Sequence, residues 1–477
     1  MATKHSFLAF DLGATSMRCI LGTLEADNLT MREVHRWSVE ALFLSGRYFW
    51  NAYSFYEHVL EGLSIVGKEG IKLEGIGIDG WGVDCALISE EGLLISLPRT
   101  YRDPYTEGVP EKFFKSVSRS KLYDITGIQT LPFNSIFQLY AQKKSGYAPI
   151  KAAKKIISIP DLLAYMLTGR IVGEWTLATT TALINRKTRK FDKYLVEKTG
   201  LSLSQFPEIV QPGTVIGPLS DYIAELTGVG SVPVIAVATH DTASAFASVP
   251  ALDEKFAVLS SGTWSLMGIE TPSPIVSPES CEQNFSNEGG IESTNIFLKN
   301  ITGMWLLEQC RKSWAVWGRT YTYEQIVDMI ESEDCFTSSV DPNDERFANP
   351  ADMTIAIESY LLETGQGLPR NDAQMARCIC NSLVRKYDEV LSALRTFAPF
   401  PIERLHIIDG GSANSPICQL SADVLGIPVV AGPVEATSTG NILVQARAAG
   451  LLDSRWDMRR VVERSFPPRT FYPGKKK

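Results

Sequence analysis

Long apolar runs are missing from this chain of 477 residues. No stretch reaches the roughly 18 residues that a membrane-spanning helix needs, so a membrane role is not expected. The opening M-A-T-K-H-S-F-L-A-F-D interrupts its short apolar stretch with an acid and has no A-x-A cleavage pattern. A secreted product is therefore not expected, and the protein is placed in the cytoplasm. Basic clusters are missing as well: 46 Lys and Arg are scattered among 54 Asp and Glu, a net charge of −8. That balance argues against nucleic acid or an anionic membrane as partner and leaves small-molecule chemistry. The eight cysteines lack the paired spacings of a zinc site or a disulfide framework, and Cys378 and Cys380 form a lone C-x-C inside a helical pattern. The sequons at Asn28, Asn284 and Asn300 are incidental in an unexported chain. No G-x-x-x-x-G-K-[ST] occurs, which excludes a P-loop.

What is present reads as a folded α/β protein. Hydrophobic residues make up 44% and charged residues 21%, and only the final Gly-Lys-Lys-Lys reads as a disordered tail. The length exceeds one hydrophobic core, so two lobes are expected, residues 1–250 and 251–477, divided near Val249 to Asp253. Residues 6–12 and 18–24 predict a hairpin around Gly13-Ala14-Thr15-Ser16, and the pattern returns near residue 256 around Ser260-Ser261-Gly262-Thr263. Two lobes that open on similar hairpins suggest related topologies. Helical spacing from Trp50 to Val66 leads into the strand L-E-G-I-G-I-D-G, and Ser118 to Leu167 is rich in helix. V-P-V-I-A-V-A predicts a strand buried on both faces. Later, L-H-I-I-D-G-G and I-P-V-V-A-G predict strands, each followed by a helix, the last running from about Thr437 to Ala449.

Gly75 to Gly80 matches G-x-G-x-x-G by letter, but C-A-L-I-S-E-E-G after it reads as strand and turn. A dinucleotide site needs a helix there, so a Rossmann assignment is rejected. The two hairpin turns instead offer backbone N–H groups and hydroxyls with little bulk, suited to a metal-bound polyphosphate once Asp11 stands beside the first. Taken singly, each turn reads as an ordinary β-turn; only the pair, with Asp11 beside the first, favours the phosphate clamp. Asp409-Gly410-Gly411-Ser412-Ala413-Asn414 adds a small-residue loop at a strand end, where ligands of α/β sheets collect. His240-Asp241-Thr242 breaks the apolar run V-I-A-V-A-T-H-D-T-A-S-A-F where strand gives way to helix. As a helix cap, Asp241 needs no further purpose. The same placement also suits a carboxylate that takes a proton from an attacking hydroxyl.

At these residues the sequence resembles the FGGY carbohydrate kinases over nearly its whole length. The resemblance rests on F-D-L-G-A-T-S-M-R at the start, G-I-D-G-W-G-V-D at 77–84, Y-R-D-P-Y-T-E-G at 101–108 and T-H-D-T at 239–242. It continues in S-S-G-T-W-S-L-M-G at 260–268, N-F-S-N-E-G-G at 284–290, L-K-N-I-T-G-M-W-L-L at 298–307 and A-G-P-V-E-A-T-S-T-G-N at 431–441. W-G-V-D, N-E-G-G and G-P-V-E-A set it apart from xylulose, glycerol and gluconate kinases and point to the branch acting on L-rhamnulose. The resemblance implies two actin-like (ribonuclease H-like) lobes with an interlobe cleft, the N-terminal one carrying sugar and catalytic base, the C-terminal one nucleotide. It implies transfer of the ATP γ-phosphate to the 1-hydroxyl of L-rhamnulose, with Asp241 as base. Gly82, His240, Asp241, Thr242 and Asn300 fall on sugar-binding positions. Ala14, Thr15, Ser16, Met17, Arg18, Thr263, Gly410 and Gly411 fall on nucleotide positions, and Asp11 on one that reaches Mg²⁺ through water. Three positions depart from the family pattern: Met17 replaces a Gly, Glu308 stands where relatives have Gln and is not carried over, and Asp409 replaces a third Gly. The alternatives are a kinase of another ketose, such as L-fuculose or L-xylulose, and a non-catalytic ATP switch on the same fold.

Overall fold

The computed structural model describes residues 3–474; Met1, Ala2 and the three lysines of the expected tail lie outside the described residues. The chain divides into two compact units. One contains the chain up to Ser248 together with Glu270–Phe297 and Thr437–Ser465, the other Val249–Ile269, Leu298–Ala436 and Phe466 onward. Compactness therefore does not follow chain order as a single division at residue 250 would. Two later segments belong with the N-terminal half.

The first unit is built on strands β1 (Lys4–Leu12), β2 (Ser16–Glu25) and β3 (Asn28–Ser38), an antiparallel meander. Strand Leu73–Gly80 pairs with β1 in parallel, Pro233–Ala236 pairs with it in turn, also in parallel, and Thr214–Pro218 closes the edge antiparallel. Helix α1 (Ala52–Lys68) starts at Asn51, whose side chain accepts from the Ser54 N–H, and buries Phe55, Val59, Leu63 and Val66. Those residues share a core with Leu8, Phe10, Leu12, Ile76 and Ile78 from the sheet. Each aliphatic residue so buried contributes about 1.5–3 kcal/mol, so this sheet and helix are set by apolar pattern.

The second unit repeats the plan. Phe256–Ser261 forms an antiparallel hairpin with Trp264–Thr271 and pairs in parallel with Arg404–Ile408. That strand pairs in parallel with Val429–Ala431, and Arg469–Phe471 closes the edge antiparallel. Hairpin, two parallel neighbours and an antiparallel edge thus recur in the same order, as the paired hairpins in the sequence led us to expect. A helix from Asp372 to Phe397 supplies much of the core through Ile379, Leu383, Tyr387 and Leu391. Among the described residues no helix is long and apolar enough to cross a membrane.

The glycines that mimic a dinucleotide motif have a packing role. Gly75 and Gly77 lie in the Leu73–Gly80 strand, and the next element is the strand Cys85–Ile88, not a helix. A Cβ on Gly77 would meet Asn441 Oδ1 at 2.4 Å and Val237 at 2.6 Å; one on Gly75 would meet Gln445 Oε1 at 2.8 Å. Helix Ala436–Ala448 thus lies against bare backbone, and its polar side chains reach the strands.

Candidate active site

Three parallel strands of the first unit end at one edge, the place where ligands of α/β sheets collect. β1 delivers Asp11 there and Leu73–Gly80 delivers Asp79, its partner in register. The third strand ends just before His240, which bridges to Gly80, whose N–H donates to the Thr239 carbonyl at 2.9 Å. Asp11 accepts from Arg18 at 2.5 Å and from the Ser438 hydroxyl at 3.3 Å. Asp79 Oδ2 accepts from Asn441 Nδ2 at 2.5 Å, while its Oδ1 is buried without a hydrogen bond. Burial, then repulsion from Asp11, pushes the Asp79 carboxyl well above the usual range. The A-T-S-T-G-N segment thereby acquires a purpose the sequence did not disclose: Gly440 lets its helix touch the Ser244 carbonyl, where a Cβ would sit at 1.8 Å.

Asp241 is the first residue of helix Asp241–Ala247. Its Oδ1 accepts from the Thr242 N–H at 2.6 Å and hydroxyl at 3.2 Å, and lies 3.4 Å from His240 Nε2. No hydrogen bond within the described residues reaches Oδ2, and 34% of the side chain is open to solvent. The sheltered side of the carboxyl raises its pKa through desolvation, opposed by His240 and assisted by Asp11. The capping role accounts for one oxygen and leaves the other without a hydrogen bond among the described residues. Behind it, His240 Nδ1 faces Glu288 Oε2 at 3.3 Å, misaligned for a hydrogen bond, and both atoms are otherwise buried without a partner. Burial pushes the Glu288 carboxyl up, with His240 pulling it down. Glu288 belongs to N-E-G-G, a motif that entered the sequence reading only as a family marker.

Sequence reasoning missed the element that holds these loops together. Helix Trp175–Thr179 is capped by Glu174, whose carboxylate accepts from the N–H groups of Thr176 at 2.9 Å and Leu177 at 3.0 Å and from the Thr176 hydroxyl at 2.6 Å. It also accepts from the Thr239 N–H at 3.2 Å. The Thr176 hydroxyl in turn accepts from the His240 N–H at 3.1 Å. Thr179 accepts from the Gly289 N–H at 3.0 Å and Thr180 from the Val83 N–H at 3.2 Å. One short helix and its C-cap residue Thr180 therefore pin T-H-D-T, N-E-G-G and W-G-V-D through three hydroxyls. Its signal was the run E-W-T-L-A-T-T-T, where threonines at helix-interior positions announce side-chain hydrogen bonding. Even with four hydrogen bonds, full burial lifts the Glu174 carboxyl to about 7.

Gly82 is held in the same way. A Cβ there would meet the Thr180 hydroxyl at 2.4 Å, and Val83 beside it adopts φ 68°, a left-handed conformation that a β-branched residue rarely takes. The Val83 carbonyl accepts from Ser135 at 2.5 Å and Gln138 at 3.2 Å. Asp84 closes the motif from inside: its Oδ2 accepts from Trp50 at 2.6 Å, Trp81 at 3.0 Å and the Tyr101 N–H at 3.2 Å, and Gln138 donates to Oδ1 at 2.9 Å. Desolvation raises its pKa to about 6. Asp84 is thus buried, with both oxygens bonded inside the protein.

Among the expected nucleotide residues, Ala14 to Arg18 lie in the first unit. Met17 is fully buried in its core, so only its backbone faces the turn. Thr263, Gly410 and Gly411 lie in the second unit, as does Asn300. There the carbonyls of Gly262 and Thr263 accept from Met304 N–H at 3.0 Å and Trp305 N–H at 3.2 Å, and a Cβ on Gly411 would strike Ser261 Oγ at 2.2 Å. The hairpin turn and the Asp409–Asn414 loop thus meet, with Asp409 accepting from the Ser260 hydroxyl at 2.6 Å. Asp409 sits at φ 63°, ψ −162°, a region that is essentially glycine's own, which explains the family's Gly. Glu308 pairs with Arg311 at 3.1 Å and accepts from Tyr323 at 2.8 Å, so its extra charge is offset locally.

The FGGY N-terminal domain model matches residues 6–247 and the C-terminal domain model 257–449. The chain belongs to the FGGY family of carbohydrate kinases. This FGGY kinase is 46% identical over 98% of its length and 96% of the relative's to a rhamnulokinase of Bacteroides thetaiotaomicron. A rhamnulokinase of Enterococcus faecalis is 38% identical over 97% and 93%, and one of Bacillus subtilis 36% over 98% and 95%. The xylulose kinase of Lactobacillus acidophilus superposes on this kinase with TM-score 0.82 at 16% identity, covering 98% and 94% of the two chains. The glycerol kinase of Plasmodium falciparum, solved with ADP, gives 0.77 at 16% identity over 98% and 94%. The fold is the two-domain α/β fold of these sugar kinases.

Proposed function

We propose that this carbohydrate kinase is a rhamnulokinase that moves the γ-phosphoryl group of ATP to the 1-hydroxyl of L-rhamnulose. The curated relatives above carry that name, and the motifs W-G-V-D, N-E-G-G and T-H-D-T are bound together by helix Trp175–Thr179 with its capping residues Glu174 and Thr180. The observation that carries the mechanism is Asp241: one oxygen satisfied by Thr242, the other free, on a side chain one-third open.

In this reading Gly82, His240, Thr242 and Asn300 hold the ketose, and Asp241 accepts the proton of its 1-hydroxyl as that oxygen bonds to phosphorus. The bond from phosphorus to the bridging oxygen breaks, and ADP leaves with its electron pair. Ala14 to Arg18, Thr263, Gly410 and Gly411 hold the nucleotide. The pair Asp11 and Asp79 fits a divalent cation: two carboxylates in register, one buried oxygen without a partner, and an Asp79 pKa raised by burial and then by the Asp11 charge, which a cation relieves. Asp11 would reach Mg²⁺ through water. Bound there, Mg²⁺ supplies charge neutralisation to the phosphates. The small ligands are a ketose and ATP.

ADP release measured with ATP and a panel of ketoses tests the reading. Turnover that requires sugar and is fastest with L-rhamnulose supports it. Faster turnover with L-fuculose or L-xylulose reassigns the substrate, and ADP release that ignores every sugar overturns the kinase mechanism.

A further inference from the structure

β3 and α1 bring together three groups that the kinase reaction does not use. His35 projects from β3, and His58 and Glu61 lie one helical turn apart on α1, the helix packed against that strand. His35 Nε2 is 3.1 Å from His58 Nδ1 and 3.2 Å from Glu61 Oε2, and His58 Nδ1 is 3.3 Å from the same oxygen. These three atoms form a nearly equilateral triangle. Zinc bonds of about 2.0–2.1 Å place neighbouring ligand atoms of a tetrahedral site about 3.3–3.4 Å apart, close to the observed edges. Among the described residues this is the one such group of three or more potential metal ligands.

The surroundings favour binding over mere proximity. Trp37 stacks on both imidazoles, with centroids 5.2 Å from His35 and 4.8 Å from His58, so one indole packs against both rings and restrains them. His35 is 18% exposed, His58 31% and Glu61 55%, so one ligand is sheltered and the other two leave an entry path. Arg36, the neighbouring cation on the strand, is taken up by both oxygens of Glu33.

The geometry points to a divalent transition-metal site, Zn²⁺ first, formed by His35 Nε2, His58 Nδ1 and Glu61 Oε2, with water as fourth ligand. Two nitrogens and one carboxylate suit Zn²⁺ and disfavour Mg²⁺, which prefers oxygen. Such an ion clips β3 to α1, and metal that binds the folded state alone stabilises it.

The test is zinc uptake by the full-length protein in excess Mg²⁺, with exposed thiols alkylated, read by calorimetric titration and by metal analysis after dialysis. The wild type is expected to hold one Zn²⁺ and to melt higher with it. His58→Asn and Glu61→Gln are each expected to lose at least about tenfold in affinity and the thermal shift, while melting in chelator like the wild type and keeping sugar-kinase turnover. An anomalous difference map from zinc-soaked crystals of the unsubstituted protein gives a second readout that needs no variant. Uptake unchanged in both variants, or no zinc peak between β3 and α1, overturns the site and leaves a proton-sharing His-His-Glu cluster.

Discussion

The Thr176 hydroxyl accepts from the His240 N–H at 3.1 Å and donates to Glu174 Oε2 at 2.6 Å. The residue before Asp241 is therefore fixed by a relay that ends on a buried carboxylate. Thr176→Val keeps the shape and strands the His240 N–H, which costs about 1–3 kcal/mol of stability. Because the T-H-D-T turn then shifts, kcat/KM should fall roughly 10- to 100-fold. Thr181→Val is the control, since that hydroxyl serves only the local Ala178 carbonyl and Leu183 N–H. It should lose stability and keep turnover, as thermal melts and steady-state rates will report.

Glu174 itself gives a pH signature. Its folded pKa of about 7 lies above the ordinary 4.5, so between those values the folded state retains a proton that the unfolded chain has released. Its contribution is therefore fully present below about pH 4.5 and is lost as pH rises toward 7, by an amount of order 3 kcal/mol. Urea unfolding across that window should show the decline in wild type and a shallower one in Glu174→Gln. Parallel pH profiles for the two proteins would contradict it.

Elements set by apolar periodicity were legible in the sequence: the hairpins, α1, the buried strands and the start of the helix at Asp241. What escaped was set by polar groups acting across long sequence separations. Glu174 and Thr239 are 65 residues apart and Asp79 and Asn441 are 362 apart, and no local pattern announces such pairs. The return of Glu270–Phe297 and Thr437–Ser465 to the first unit escaped for the same reason. Conversely the G-x-G-x-x-G letters were legible and misleading, until their flanks were read.

Gly77 makes that last point testable. A methyl group there meets Asn441 and Val237, so Gly77→Ala should lose about 1–3 kcal/mol or more from overpacking, seen in urea unfolding. A dinucleotide-binding role would instead weaken ligand binding at unchanged stability.

Asp409 carries backbone strain of about 1–3 kcal/mol that glycine would not. Asp409→Gly loses the Ser260 hydrogen bond and relieves the strain; Asp409→Ala loses the bond and keeps it. The Gly variant should therefore melt higher than the Ala variant. An Ala variant of equal or greater stability would show that φ 63° carries no cost here.

The most direct measurement is the turnover of Asp241→Asn with L-rhamnulose, alongside a nucleotide-binding titration of the same protein. Retained fold and ATP affinity with kcat lowered roughly 10²- to 10⁴-fold is the result expected of the proposed role of the free carboxylate oxygen as proton acceptor. A variant that binds ATP and keeps most of its kcat would show that Asp241 only caps its helix.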